Sequence, residues 1–417
     1  MKKKFLILII LILFLLPLST RAALTLEEIN SKITEIEQKI LALQEKIQEL
    51  KEENTSFYFK KRLEIGDSGK EVKELQKLLN KNLKSKVAKT GPGSPGNETS
   101  YFGSLTKNAV IQFQEKYSNK ILKPWGFKNG TGIVGATTRM QLNKLLHQGE
   151  IKDSSFSLSS KNPEQGDVVV LRLENSDEEE NITVEFSGKE FNFYRLGSQD
   201  KKIAFLPIGA NYNPGFYSLV VKSEDRGYYF DYLIVESRDF PKTYLEVTPE
   251  LEEKGYDPDM IKENVAKENE LLFKEVFNKE PTDFYFEKDF VNPLDKIKNV
   301  GAYGNLRISG DIKLRHLGVD LDAEVGDPVY SINDGVVSFA REITDYGKTM
   351  VVDHGGGIRS LYLHLDKFLA KKGDEVERGE KIALSGNTGY SIAPHLHLSI
   401  NIYGKSIDPL RFLEIDY

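Results

Sequence analysis

The sequence predicts a multidomain chain: an N-terminal coiled coil, a small three-helix domain, a β-sandwich, and a C-terminal domain of mainly antiparallel β structure. Three observations carry that reading. Apolar residues recur with a strict three-four spacing from Leu26 to Leu50, the hydrophobic period changes from helical to two near residue 156, and five of the six histidines fall after residue 290. A chain of 417 residues, 39% hydrophobic, is also too long for one compact core. Its 57 basic and 63 acidic residues give a formal net charge of -6, so no overall basic character points to a nucleic-acid partner. Cysteine is absent, which excludes disulfides, thiolate metal sites and a cysteine nucleophile, and leaves His, Asp and Glu for any metal chemistry.

Residues 1–22 read as a signal peptide. Lys2, Lys3 and Lys4 precede an apolar run from Phe5 to Leu18, and Thr20-Arg21-Ala22 offers small residues at the two positions a signal peptidase inspects. Cleavage is expected after Ala22, with an uncleaved membrane tether as the alternative; either way the remainder is extracytoplasmic. Residues 24–54 follow as the coiled coil, with Leu26, Ile33, Ile40 and Ile47 at one seam position and Ile29, Ile36, Leu43 and Leu50 at the other. Self-association through this seam is expected; a helix folded onto a neighbouring domain is the alternative.

Residues 59–146 read as a helical domain. Val72, Leu75 and Leu79 share one helical face, Thr106 is placed to cap a second helix carrying Val110 and Phe113, and Thr137 or Thr138 a third carrying Met140. From 156 to 237, runs such as "DVVVLRL", "NITVEF" and "YYFDYLIV" are strand-length and rich in β-branched and aromatic residues, which predicts an antiparallel β-sandwich. A polar, acidic helical connector is expected over 249–277.

The last domain, 290–417, carries the candidate site. In "RHLGVDL", alternation sets His316, Gly318 and Asp320 against Leu317, Val319 and Leu321. In "SLYLHL", it sets Tyr362 and His364 against Leu361, Leu363 and Leu365, and in "PHLHLSI" it sets His395, His397 and Ser399 against Leu396, Leu398 and Ile400. Three extended segments thus offer one imidazole-rich face over an apolar core, a donor set suited to zinc held by three protein ligands. Four residues in a straight strand span about 13 Å, too far for two ligands of one ion. A bend between His316 and Asp320 is therefore required, and Gly318 is placed to permit it.

These residues resemble a known family. The combination His316-x-x-x-Asp320, "YLHL" and "HLH", flanked by "GVDLDAEVGDPVYSINDGVV" and "KKGDEVERGEKIALSGNTG", is similar to the lysostaphin-type M23 zinc metallopeptidases. The resemblance implies that His316, Asp320 and His397 hold a Zn2+ cofactor. It implies that His364 and His395 are catalytic without binding the metal, acting on the water and the developing oxyanion, and that His354 is structural. The segments "GDSGKEVKELQKLL" and "YFGSLTKNAVIQFQEKY" likewise resemble a peptidoglycan-binding domain. Together these imply an endopeptidase acting on peptidoglycan in cell-wall remodelling or lysis; the alternative is an inactive wall-binding regulator or envelope scaffold. Segments 303–307 and 390–394 depart from the family pattern and border the expected cleft.

Overall fold

The computed structural model describes residues 32, 35, 36, 38–40, 57–81, 85–147, 156–174, 180–197, 201–223, 227–244, 257–309 and 311–417. They fall into two units, 1–58 and 59–417. In the first, Lys39 pairs with Glu35 one helical turn away at 2.5 Å, and Ile36, on the expected seam, is exposed. The rest of the coiled coil and the signal peptide lie outside the described residues. Among the described residues, no helix is long and apolar enough to cross a membrane.

The second unit begins with α1 (Lys70–Asn80), α2 (Ser104–Lys116), the short α3 (Ser118–Ile121) and α4 (Ala136–Leu146). Val72, Leu75, Val110, Phe113 and Leu142 form their buried faces. The expected threonine caps are not used. Helix α2 starts after Gly103 and α4 after Gly135, neither with a side-chain cap. Thr106 and Thr138 are instead buried inside the first turns, where their hydroxyls accept from the Gln76 and Gln114 amides at 3.0 Å. Gln76 also reaches the Tyr101 carbonyl, and Gln114 the Ile133 carbonyl. The spacing Thr99, Tyr101, Gly103, Thr106 therefore recurs as Thr131, Ile133, Gly135, Thr138, an internal duplication in which one buried carboxamide fastens each loop. A carboxamide suits this because it donates and accepts at one point.

Strands β1 (Phe156–Leu158), β2 (Val168–Glu174), β3 (Ile182–Phe186), β4 (Lys189–Asn192), β5 (Tyr194–Arg195), β6 (Lys201–Pro207), β7 (Gly215–Ser223) and β8 (Gly227–Val235) form two four-stranded sheets. Their orders are β1-β2-β6-β5 and β4-β3-β7-β8, antiparallel throughout. Val169 and Leu171 face Val184, Phe186 and Val221 in the core between the sheets. Val168 and Val170 point the other way, into the C-terminal core beside Phe205, Phe290 and Phe412. Burial on both faces explains why β2 reads Val-Val-Val-Leu rather than alternating with polar residues.

After β9 (Lys242–Tyr244) comes α5 (Pro258–Leu272), capped by the Asp257 carboxylate, which accepts from Asp259 N and Met260 N. The C-terminal domain contains β10 (Asn299–Gly301), β11 (Leu306–Ser309), β12 (Ile312–Arg315), β13 (Val319–Asp322), β14 (Pro328–Tyr330), β15 (Gly335–Ile343), β16 (Gly347–Asp353) and β17 (Ile358–Leu365). It continues through β18 (Lys367–Phe368), β19 (Glu375–Val376), β20 (Lys381–Leu384), β21 (His395–Ile402), β22 (Lys405–Ile407) and α6 (Pro409–Leu413). Its main sheet runs β10-β13-β21-β17-β16-β15-β19, with β22 beside β21 and every neighbour antiparallel.

Alternation holds in β13 and β21, whose Val319, Leu321, Leu396, Leu398 and Ile400 enter the core. Two expectations of alternation fail. Leu317 is 40% exposed, because the chain leaves strand geometry between Arg315 and Val319. In β17, Tyr362 and Leu365 enter the main core while Leu361 and Leu363 pack on the other face against Leu272 and Val276. The cause is His364, whose φ of 60° inserts a left-handed residue and shifts the register between β16 and β17.

Candidate metal centre

Antiparallel pairing of β13 with β21 sets Asp320 directly opposite His397, and such opposed side chains share one face of the sheet. His316 reaches them from beyond the end of β12, across the bend at Gly318. The approach of β10 is equally tight: a Cβ on Gly301 would lie 2.2 Å from Asp320 Oδ2, so only glycine fits there. The result is a triangle. His316 Nε2 lies 3.0 Å from Asp320 Oδ1 and 3.0 Å from His397 Nδ1, and His397 Nδ1 lies 2.9 Å from Asp320 Oδ1.

The surrounding contacts fix what these atoms carry. His316 Nδ1 sits 2.9 Å from the Ala302 carbonyl, which can only accept, so the proton is on Nδ1 and Nε2 is a bare lone pair. Ser399 Oγ donates to the Leu317 carbonyl at 2.9 Å, so it accepts from His397 Nε2 at 2.9 Å and leaves His397 Nδ1 bare. Burial pushes His397 down to about 4. Three lone pairs therefore converge with no proton between them, an arrangement that repels itself unless a cation sits among them. Ligands about 2 Å from a tetrahedral metal stand about 3.3 Å apart, a few tenths wider than this triangle. The donor set fits a metal cofactor.

Two further imidazoles adjoin the triangle. His364 Nδ1 donates to the Thr388 carbonyl at 2.9 Å and His395 Nδ1 to the Ala393 carbonyl at 2.8 Å, which leaves both Nε2 atoms available. Their ring centroids are 4.8 Å apart, and His395 Nε2 is 3.5 Å from Asp320 Oδ1. Burial, reinforced by the neighbouring His397 and His395 rings, pushes His364 down to about 3, so it is neutral at neutral pH. All five residues singled out in the sequence line one cleft of about 700 Å³.

The cleft has a wall that sequence reasoning missed. Ile261 and Val265 of α5 line it together with Ile312 and Leu314 of β12. The far end of α5 is fastened to the domain, where the Glu268 carboxylate accepts from Asp345 N and Tyr346 N at 2.7 and 3.2 Å. The segment expected as a connector is thus part of the cleft. The spacing of Ile261, Val265 and Leu272 on one helical face was the available signal.

His354 stands apart. It is fully buried, its Nδ1 donates to the Asp334 carbonyl at 2.8 Å, and burial pushes it down to about 4. Because the unfolded chain takes up this proton near pH 6.5 and the folded chain only near 4, stability is full above 6.5 and falls between those values, by on the order of 3 kcal/mol. Urea midpoints of the metal-free protein should drop across that window, and less steeply in His354→Gln; parallel slopes would remove this assignment.

Residues 314–409 match the model of peptidase family M23. The C-terminal domain is an M23 peptidase domain. Residues 68–142 match the model of a peptidoglycan binding domain. Peptidoglycan DD-endopeptidase ShyA of Vibrio cholerae is 42% identical to the chain over 96 residues, 23% of this chain and 22% of ShyA. Glycyl-glycine endopeptidase ALE-1 of Staphylococcus capitis is 37% identical over 148 residues, 34% of this chain and 40% of that protein. The catalytic domain of lysostaphin from Staphylococcus simulans shares 34% identity, covering 28% of this chain and 93% of that one, with a TM-score of 0.27. The chain spans about a fifth of the length of the first relatives it matches. The α5 wall and most of the β11–β12 hairpin precede the segment that the M23 model matches.

Proposed function

We propose that the protein is a zinc-dependent endopeptidase that hydrolyses peptide bonds of bacterial peptidoglycan outside the cytoplasm. The observation that carries this reading is the convergence of three unprotonated donors, His316 Nε2, Asp320 Oδ1 and His397 Nδ1, beside two imidazoles that are tied elsewhere through their other nitrogen. A carboxylate and two neutral imidazoles form a donor set suited to zinc, and three protein ligands leave a position open for chemistry. When bound there, the metal supplies Lewis-acid polarisation of the scissile carbonyl and makes water acidic enough to attack near neutral pH.

The chain's own groups divide the remaining work. His364, neutral and with Nε2 free, accepts the proton of the attacking water. His395 presents Nε2 to the same space and, once that atom also carries a proton, donates to the charge that develops on the carbonyl oxygen. Ala302, Ser399, Thr388 and Ala393 fix the orientation of the four rings. The match of residues 68–142 to a peptidoglycan binding domain supports peptidoglycan as the substrate, since tethering raises local substrate concentration without altering the chemical step.

A zymogram on purified peptidoglycan tests this. Clearing should disappear with a chelator and return when zinc is added. Equal clearing with and without chelator, or none in either case, would sink the reading.

A further inference from the structure

Arg307, on β11, contacts the centre from the side opposite the imidazoles. Its Nη2 donates to Asp320 Oδ2 at 2.7 Å, while Asp320 Oδ1 faces His316 and His397. Among the described residues, the Arg307 guanidinium has no other hydrogen-bond or ion-pair partner; the side chain is 34% exposed and lines the cleft. A guanidinium carries five N–H donors, so four remain for a ligand. Its neighbour on the hairpin is committed differently: Arg315 Nη1 donates to the Gly304 carbonyl, and the group stacks on Phe240. Lys298 is paired with Asp322 at 2.8 Å.

Charge and shape favour one kind of occupant. With a divalent metal in place, the Asp320 carboxylate would face the metal charge on one side and the Arg307 guanidinium on the other, so positive charge would exceed negative at this point of the cleft. The unpaired edge of a guanidinium is planar and matches a carboxylate in two parallel hydrogen bonds, which a lone carbonyl oxygen cannot supply. From Asp320 Oδ1 across Arg307 to such a carboxylate is about 8 Å, a little over two residues along an extended peptide.

Building on the peptidase reading above, we propose that Arg307 is a specificity residue that binds a free carboxylate of the substrate peptide about two residues from the scissile bond. Arg307 precedes the segment matched by the M23 model, so this selectivity belongs to the flanking hairpin and not to the shared metal centre.

The test uses two cross-linked peptides that differ only in one carboxylate near the scissile bond, free in one and a carboxamide in the other. The full-length enzyme, loaded to equal zinc content in every variant, should prefer the free acid at least about tenfold in kcat/KM, mainly through KM. Arg307→Met should bring the ratio close to one, and Arg307→Lys should restore part of it by returning the charge without the fork. If Arg307→Met turns over too slowly, calorimetric binding of the two peptides gives the same ratio. A preference that survives in Arg307→Met, or its absence from the unaltered enzyme that cleaves both peptides, would overturn this inference alone. Failure of the unaltered enzyme to cleave either peptide would overturn the peptidase reading and this inference with it.

Discussion

Alanine at His397 is expected to remove both metal and activity, whereas alanine at His395, two residues earlier on the same strand face, should remove activity and leave the metal. The difference follows from which nitrogen points where. His397 Nδ1 is one corner of the triangle with His316 and Asp320, so its loss leaves two of three protein ligands and drops affinity for the ion. His395 Nε2 stands outside the triangle, 3.5 Å from Asp320 Oδ1, and its ring is tied to the loop before β21 through the Ala393 carbonyl. Removing a group that acts only on developing charge costs about a hundredfold to a thousandfold in rate. Elemental analysis beside hydrolysis of purified peptidoglycan separates the two outcomes. Zinc lost from His395→Ala and retained by His397→Ala would reverse the roles; full zinc and full activity in both would place the site elsewhere.

What was legible in the sequence follows from how local each constraint is. The polar faces of β13 and β21 could be read because one face of each meets an apolar core, so a period of two survives in the residues themselves. The same logic misplaced Leu365 relative to Leu361 and Leu363. Two features invisible in "SLYLHL" intervene: the left-handed torsion at His364, and the cover supplied by Leu272 and Val276 from nearly a hundred residues upstream. In the helical domain, Gly103 and Gly135 begin the helices because Thr106 and Thr138 are taken inside by Gln76 and Gln114. That exchange depends on a tertiary contact and not on helix-end preference. The family resemblance places the segment of Arg307 at the border of the cleft. Its pairing with Asp320 depends on the β11–β12 hairpin folding back, which no periodicity encodes.

Gly318→Ala is expected to damage the metal centre without touching a ligand. The bend anticipated at Gly318 is present, but its backbone is not in the left-handed region, so the demand for glycine comes from space and not from torsion. A Cβ at 318 would lie 2.4 Å from His397 Nε2 and 2.5 Å from both Leu398 O and Ser399 Oγ. None of the three can yield easily. Leu398 O belongs to the backbone of β21, which is held in register with Val319, while Ser399 Oγ is the acceptor that keeps His397 in its metal-facing tautomer. Overpacking of this kind typically costs about 1–3 kcal/mol, and disturbing the partner that orients a ligand lowers metal affinity about ten- to a hundredfold. Gly135→Ala is the matched control for zinc affinity, since a Cβ there meets nothing within 4 Å and its backbone is extended, at a cost of about 0.5–1 kcal/mol from the start of α4. Zinc affinity, measured by competition with a chelating dye, should fall in Gly318→Ala and hold in Gly135→Ala, while melting temperature should fall further in Gly318→Ala than in Gly135→Ala. If Gly318→Ala instead binds zinc as tightly as the unaltered protein, the close approach of β13 to β21 at this point is not what positions His397.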